Sequence, residues 1–137
     1  MSGSDRFVSL LGSLHTLLAN YPIEADMSSV EVEIDAFGRE AATVHLWPTR
    51  LAVLAAGLVE WDRTLASGTA SMWRTPEGRS VHLTLNGRSD EGDIPVQVWG
   101  SVPFHEHVFG DLAPGDRRRI DTALFALWAL GGGRVTP

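Results

Sequence analysis

A chain of 137 residues, 44% of them hydrophobic, has the length of one domain and can bury a core without covalent staples. It contains no cysteine, which excludes disulfides, thiolate metal sites and cysteine nucleophiles together and fits a reducing cytoplasm. A formal charge of −6 argues against general affinity for nucleic acid, and the longest unbroken apolar run is too short to cross a bilayer.

The N-terminal residues lack the basic leader and small-residue cleavage site of a signal peptide, so an intracellular, cytoplasmic protein is expected. All 11 basic residues are arginine. Together with the Ala, Gly, Val and Leu content, this is the composition bias of a high-GC bacterial genome.

The first expected element is a helix from Asp5 to Ala19, with Ser4 as cap and Phe7, Leu10, Leu11, Leu14, Leu17 and Leu18 as its apolar stripe. His15 borders that stripe, and Asn20-Tyr21-Pro22 ends the helix. Val30–Asp35 and Ala41–Trp47 alternate as strands of an antiparallel hairpin turning around Phe37-Gly38-Arg39. The patterning pairs Val32 with Leu46 and Ile34 with Val44, and sets Glu33 opposite His45 and Glu31 opposite Trp47 on the outer side.

Pro48 to Leu65 reads as the central helix, with Pro48 in its first turn and Ala66-Ser67-Gly68 as its stop. Its first half is apolar nearly all round, the pattern either of a helix buried between a sheet and another helix or of one offering a side to a partner. Gly57 inside it suggests close approach by another backbone. Thr69–Thr75, Ser80–Asn86 and Ile94–Val102 are strand-like, the first two joined by a type I turn at Thr75-Pro76-Glu77-Gly78. Gly87–Asp93 is a polar turn. A last helix is expected to start near Pro114-Gly115-Asp116, with Ile120, Leu124, Leu127 and Trp128 on it and Gly131-Gly132-Gly133 at its end.

The fold class is therefore α+β, in one domain over 1–137 with residues 130–137 as a loose tail. The element order is α-β-β-α-β-β-β-α, with a mostly antiparallel sheet and the helices packed on one face. Strands that follow one another without intervening helices exclude a doubly wound sheet.

The chemistry-bearing patterns are few. His105 and His107 flank Glu106 and, on an extended segment, point the same way as candidate metal ligands. A complete site needs a further ligand, for which His45, His82, Glu33 and Asp111 are the candidates; a polar loop is the plainer reading. Glu31, Glu33 and Asp35 alternate as on a solvated strand, and Asp90-Glu91-Gly92-Asp93 lacks EF-hand spacing. No nucleophile elbow, phosphate loop or dinucleotide fingerprint occurs, and no catalytic residue or cofactor is nominated. Arg117-Arg118-Arg119 would oppose the dipole of a helix's first turn, leaving room for contact with an acidic partner.

Trp47 and Trp99 share outward parity with His45, His82 and Gln97, and Trp73 joins them if its register allows. Left uncovered, this face is a candidate partner-binding surface; a helix or a second subunit over it would make it an ordinary interior.

The run from Val44 to Val102, carrying VHLWP, LVEWDRTL, SVHLTLNGR and PVQVWGSVPF, resembles uncharacterised small α+β proteins of high-GC bacteria, some phage- or plasmid-borne. The ββαβββα plan is also loosely similar to that of bacterial toxin-immunity proteins. Neither resemblance assigns a functional residue. The expected function is a non-enzymatic intracellular protein-binding or regulatory module, with an inhibitor or immunity-type role and a homodimer among its forms. It would bind a protein partner or a second copy of itself, and neither membrane nor nucleic acid. The alternative is a small metal-binding protein or hydrolase using His105 and His107.

Overall fold

The computed structural model describes residues 3–20, 27–89 and 93–131. The turn residues Tyr21 and Pro22, the acidic stretch Asp90-Glu91-Gly92 and the tail from Gly132 onward lie outside the described residues. Helix α1 (Gly3–Asn20) leads into the hairpin β1 (Met27–Ile34) and β2 (Glu40–Leu46), followed by helix α2 (Leu51–Thr64). Then come β3 (Ala66–Arg74), β4 (Ser80–Arg88), β5 (Pro95–Pro103), a helical turn α3 (Glu106–Phe109), β6 (Arg117–Ile120) and helix α4 (Ala123–Ala129).

The described strands form one six-stranded sheet in the order β1-β2-β5-β4-β3-β6. It is mostly antiparallel, but β2 and β5 run parallel, Val44 beside Val98 and His45 beside Trp99. The parallel pair follows from the placement of α2 between β2 and β3. The helix returns the chain across the sheet, so β3 starts in the direction of β2. Two further reversals bring β5 beside β2 in that same direction.

Even-numbered positions of β2, β4's odd ones and β5's even ones make the inner face. Ala42, Val44, Leu46, Val81, Leu83, Leu85, Val96 and Val98 are all buried there in one cluster with Leu54, Ala55, Leu58 and Trp61 of α2. Phe125 and Trp128 of α4 and Leu14 and Leu17 of α1 join the same cluster. Burying such side chains contributes roughly 1.5–3 kcal/mol each before entropy is counted. Val53 and Ala56 of α2 are exposed, so the helix is not buried all round. It buries two adjoining sides, one on the sheet and one against α4. Among the described residues no helix is long and apolar enough to cross a membrane.

Several expected boundaries shift. Pro48 stands before α2, whose N-cap is the extended Arg50, and the helix stops at Leu65, which turns extended and feeds β3 without a glycine cap. Ser67 and Gly68 lie instead in an irregularity of β3, between the pairings of Ala66 and Thr69. The first hairpin is tighter than the patterning suggested: Val30 faces Val44, Val32 faces Ala42 and Ile34 faces Glu40. Glu33 accordingly faces Ala41, Glu31 faces Thr43, and His45 faces Ser29. The cause is Asp35, whose Oδ1 accepts the N–H groups of Phe37 and Arg39 at 2.9 Å, closing the loop at once. The register moves by an even step, so every side chain keeps its face.

The expected long last helix is two elements. Gly115 at φ 83° turns the chain, and its N–H donates to the carbonyl of Arg74 at 2.9 Å, laying Arg117–Ile120 beside β3. The helix starts later, where Asp121 Oδ1 accepts the N–H of Ala123 at 2.9 Å.

Two glycines test this packing from opposite sides. A Cβ on Gly87 would stand 2.8 Å from Leu65 Cβ and 3.1 Å from the Ala66 carbonyl oxygen, neither of which can swing away. Gly87→Ala should lower stability by about 1–3 kcal/mol. Gly12 lies mid-helix in α1 with nothing within 4 Å of an added Cβ, so Gly12→Ala should raise it by about 0.5–1 kcal/mol. Urea unfolding of the two variants measures both signs.

Candidate functional site

On the outer face, four strands bring aromatic side chains into one row. β2 supplies His45, β5 Trp99, β4 His82 and β3 Trp73, with Arg117 of β6 at the end. His45 stacks on Trp99 with ring centroids 4.0 Å apart and planes 16° from parallel. On the other side His82 stacks on Trp99 at 4.7 Å and 29°. Trp73 meets His82 edge-on at 5.0 Å and 75°, and the Arg117 guanidinium carbon stands 5.9 Å from the Trp73 ring centre.

These spacings, from 4.0 to 5.0 Å, lie around the distance between neighbouring strands, roughly 4.7–4.9 Å. The rings of His45, Trp99 and His82 therefore stand on the sheet, faces turned to one another and edges to solvent. Such pairs add about 0.5–1.5 kcal/mol each beyond their burial. Each of the four rings is half-buried, largely by its neighbours. The buried apolar residues of α2 and α4, with Leu14 and Leu17, all belong to the opposite face. No described helix covers the row.

Hydrogen bonds fix both flanks. Ser28, in the irregular step of β1, places its hydroxyl 2.7 Å from His45 Nδ1 and 3.1 Å from the His45 carbonyl oxygen. A hydroxyl has one proton to give. Both contacts are met when Ser28 donates to the carbonyl and accepts from Nδ1–H, which leaves Nε2 as the open ring nitrogen. Below this row, Gln97 Nε2 donates to Asn86 Oδ1 at 3.2 Å.

Of the residues expected on this face, His45, His82, Trp99 and Gln97 share it. Trp47 does not join them: it lies beyond the end of β2, 57% exposed, and makes no ring contact among the described residues. Trp73 belongs to the row, and Arg117 is the member that sequence reasoning missed, because it was assigned to a helix. The signal lay in Asp121-Thr122, a helix-starting pair placed after the arginines rather than before them.

His105 and His107 occupy another place. His105 is the extended residue before α3 and His107 lies within that turn, so they do not share an extended segment. Their exposed rings are still 5.4 Å apart. Among the described residues no group of three or more histidines and carboxylates is arranged to hold a metal. Asp111, one candidate third ligand, is paired with Arg118 at 3.1 Å, while His45 and His82 sit on the aromatic face.

The carboxylates serve turns. Asp35 is held below the usual carboxylate range chiefly by the backbone N–H of Arg39, and Asp93 by the side chain of Arg88 at 2.6 Å.

No protein-family model matches the chain, and no curated protein or solved structure matches it either. Its function is therefore argued from geometry.

His82 titrates below the ordinary histidine value of 6.5, first because burial disfavours its charged form and next because His45 lies close, with Arg117 adding to the effect and Glu77 opposing it. A depressed histidine favours the folded state only while neutral. Its contribution is complete above about pH 6.5 and is lost as pH falls through the lowered folded value. Asp35, Glu77 and Asp93, also lowered, act in a more acidic window, below 3.8 to 4.5. Thermal melting from pH 8 to 5 should show wild-type stability falling more steeply than that of His82→Asn. Parallel curves would remove His82 from this role.

Proposed function

We propose that the chain is a non-enzymatic protein-binding or regulatory module that receives its partner on the outer face of the sheet. The observation that carries this reading is the row His45–Trp99–His82–Trp73–Arg117, standing on a face that no described helix covers. Tryptophan and arginine are the residue types that dominate binding energy at protein interfaces, where a few clustered side chains carry most of it. Ordered side chains also lose less rotamer freedom on binding, and here each ring is already held by the next.

The orientation of the rings disfavours the neighbouring class of ligand. Proteins that hold single-stranded nucleic acid offer ring faces on which bases stack. Here the faces of Trp99 are taken by His45 and His82, and the chain carries a formal charge of −6. That charge steers encounter toward basic partners, which suits an inhibitor or immunity-type role inside the cell. A second copy of the chain is the other partner that the surface fits. The metal-binding or hydrolytic alternative at His105 and His107 has no third ligand to support it among the described residues.

Trp99→Ala tests the reading. The half-buried ring lies outside the core cluster, so the variant should fold, with a loss of about 1–3 kcal/mol for its two stacked contacts. Native mass spectrometry should show a metal-free dimer that Trp99→Ala converts to monomer. If the wild type is monomeric, a partner retained on immobilised wild type should be lost on Trp99→Ala. A folded variant that keeps its dimer or its partner would refute the surface, and so would a variant that does not fold.

A further inference from the structure

A second site lies on the helix side of the sheet, where the start of α2 meets the α3 turn. It is a pocket of about 520 Å³ whose floor includes the buried side chains of Val102, Val108 and Phe109 and whose rim carries Arg50, His105 and His107. That volume is within the range of small-molecule sites, which are mostly apolar with a few polar groups to fix orientation.

The rim is unusual for this chain. In a protein of net charge −6, three nitrogen-bearing side chains converge on one pocket, and no carboxylate lines it. Glu106, between the histidines in sequence, is exposed and not part of the lining. Four arginines elsewhere are paired with carboxylates: Arg6 with Glu40, Arg39 with Asp35, Arg88 with Asp93 and Arg118 with Asp111. The Arg50 carbonyl accepts the N–H groups of Val53 and Leu54, but its guanidinium has no hydrogen bond or ion pair among the described residues, and the same holds for the ring nitrogens of His105 and His107. A planar guanidinium left open beside two imidazoles presents the donor set that a carboxylate accepts in bidentate fashion. A metal ion would leave Arg50 opposed and the apolar floor empty. An inorganic anion would use the rim and ignore the floor.

We propose that this pocket binds a small amphipathic carboxylate, its acid group held by Arg50 with His105 and His107 and its hydrocarbon body lying on Val102, Val108 and Phe109. The site is independent of the aromatic face.

The test is an NMR titration of the full-length protein with octanoate, 1-octanol and inorganic phosphate as separate probes. Octanoate should give saturable shifts at His105, His107 and Val108. 1-Octanol and phosphate should each bind at least about tenfold more weakly, since each lacks one half of the recognition. The Arg50 side chain is exposed and its guanidinium has no partner among the described residues, so Arg50→Gln should leave the melting temperature unchanged and weaken octanoate about tenfold without altering the response to 1-octanol. Equal affinity for octanoate and 1-octanol would overturn the anion half of the proposal. Equal affinity for phosphate would overturn the apolar half. Octanoate binding unchanged in Arg50→Gln, shifts centred on Trp99, or no saturable response would each overturn the site itself.

Discussion

The contact on which the structure depends is the seating of α2 against the sheet at Gly100. The Leu54 side chain fills the space that a side chain at position 100 would take, so the helix meets β5 at a glycine. The approach brings Ala55, Leu58 and Trp61 down onto the inner face and leaves the adjoining side of α2 for Phe125 and Trp128 of α4. It also requires the chain to cross from one end of the sheet to the other, which produces the parallel pair at β2 and β5 and puts His45 beside Trp99. Close packing on one face and the aromatic row on the other thus follow from the same crossover. The indole N–H groups of Trp61 and Trp128 find no acceptor among the described residues, a cost of about 1–3 kcal/mol each that the large buried rings offset.

A second anchor fixes the far end of the sheet. Arg74 Nε donates to the Gly78 carbonyl at 2.9 Å, its Nη1 donates to the Leu112 carbonyl at 2.8 Å, and its guanidinium lies 3.6 Å from the Phe104 ring centre. One side chain therefore ties the β3–β4 turn, the loop after α3 and the exit of β5 together. The same residue's backbone bonds to Gly115 and Asp116, which positions β6. Arg117 reaches Trp73 because of this arrangement, and the aromatic row acquires its cationic end.

Side-chain parity was legible in the sequence, and topology was not. Alternation in VEVEID, SVHLTLN and PVQVW assigns each residue to a face whatever the register, because the period of a strand is two. The outer positions of His45, His82, Trp99 and Gln97 could be read for that reason. Register and order depend on loops and on helix crossing, which leave weak local marks. Asp35 tightened the first hairpin through side-chain bonds to its own loop, an effect that the hydrophobic pattern does not encode. Arg117–Ile120 has no alternation and is too short to signal a strand, so neighbouring apolar residues drew it into a helix. Trp47 followed the parity of β2 one residue beyond its end, where parity has no meaning.

The charges around the sheet bear on how a second copy could bind. One edge, β1, exposes Glu31 and Glu33, and the other, β6, exposes Arg117, Arg118 and Arg119. A two-fold symmetric pairing through either edge would set like charges against each other, the means by which edge strands resist unwanted sheet extension. Joining the acidic edge of one copy to the basic edge of the next would be head-to-tail and need not close. A face-to-face arrangement avoids both outcomes. Two outer faces related by a two-fold axis can place the Trp99 rows together while the arginine end of each lies over the glutamate end of the other. For a second copy of the chain, the proposed contact through the aromatic row is the one that this charge pattern does not oppose.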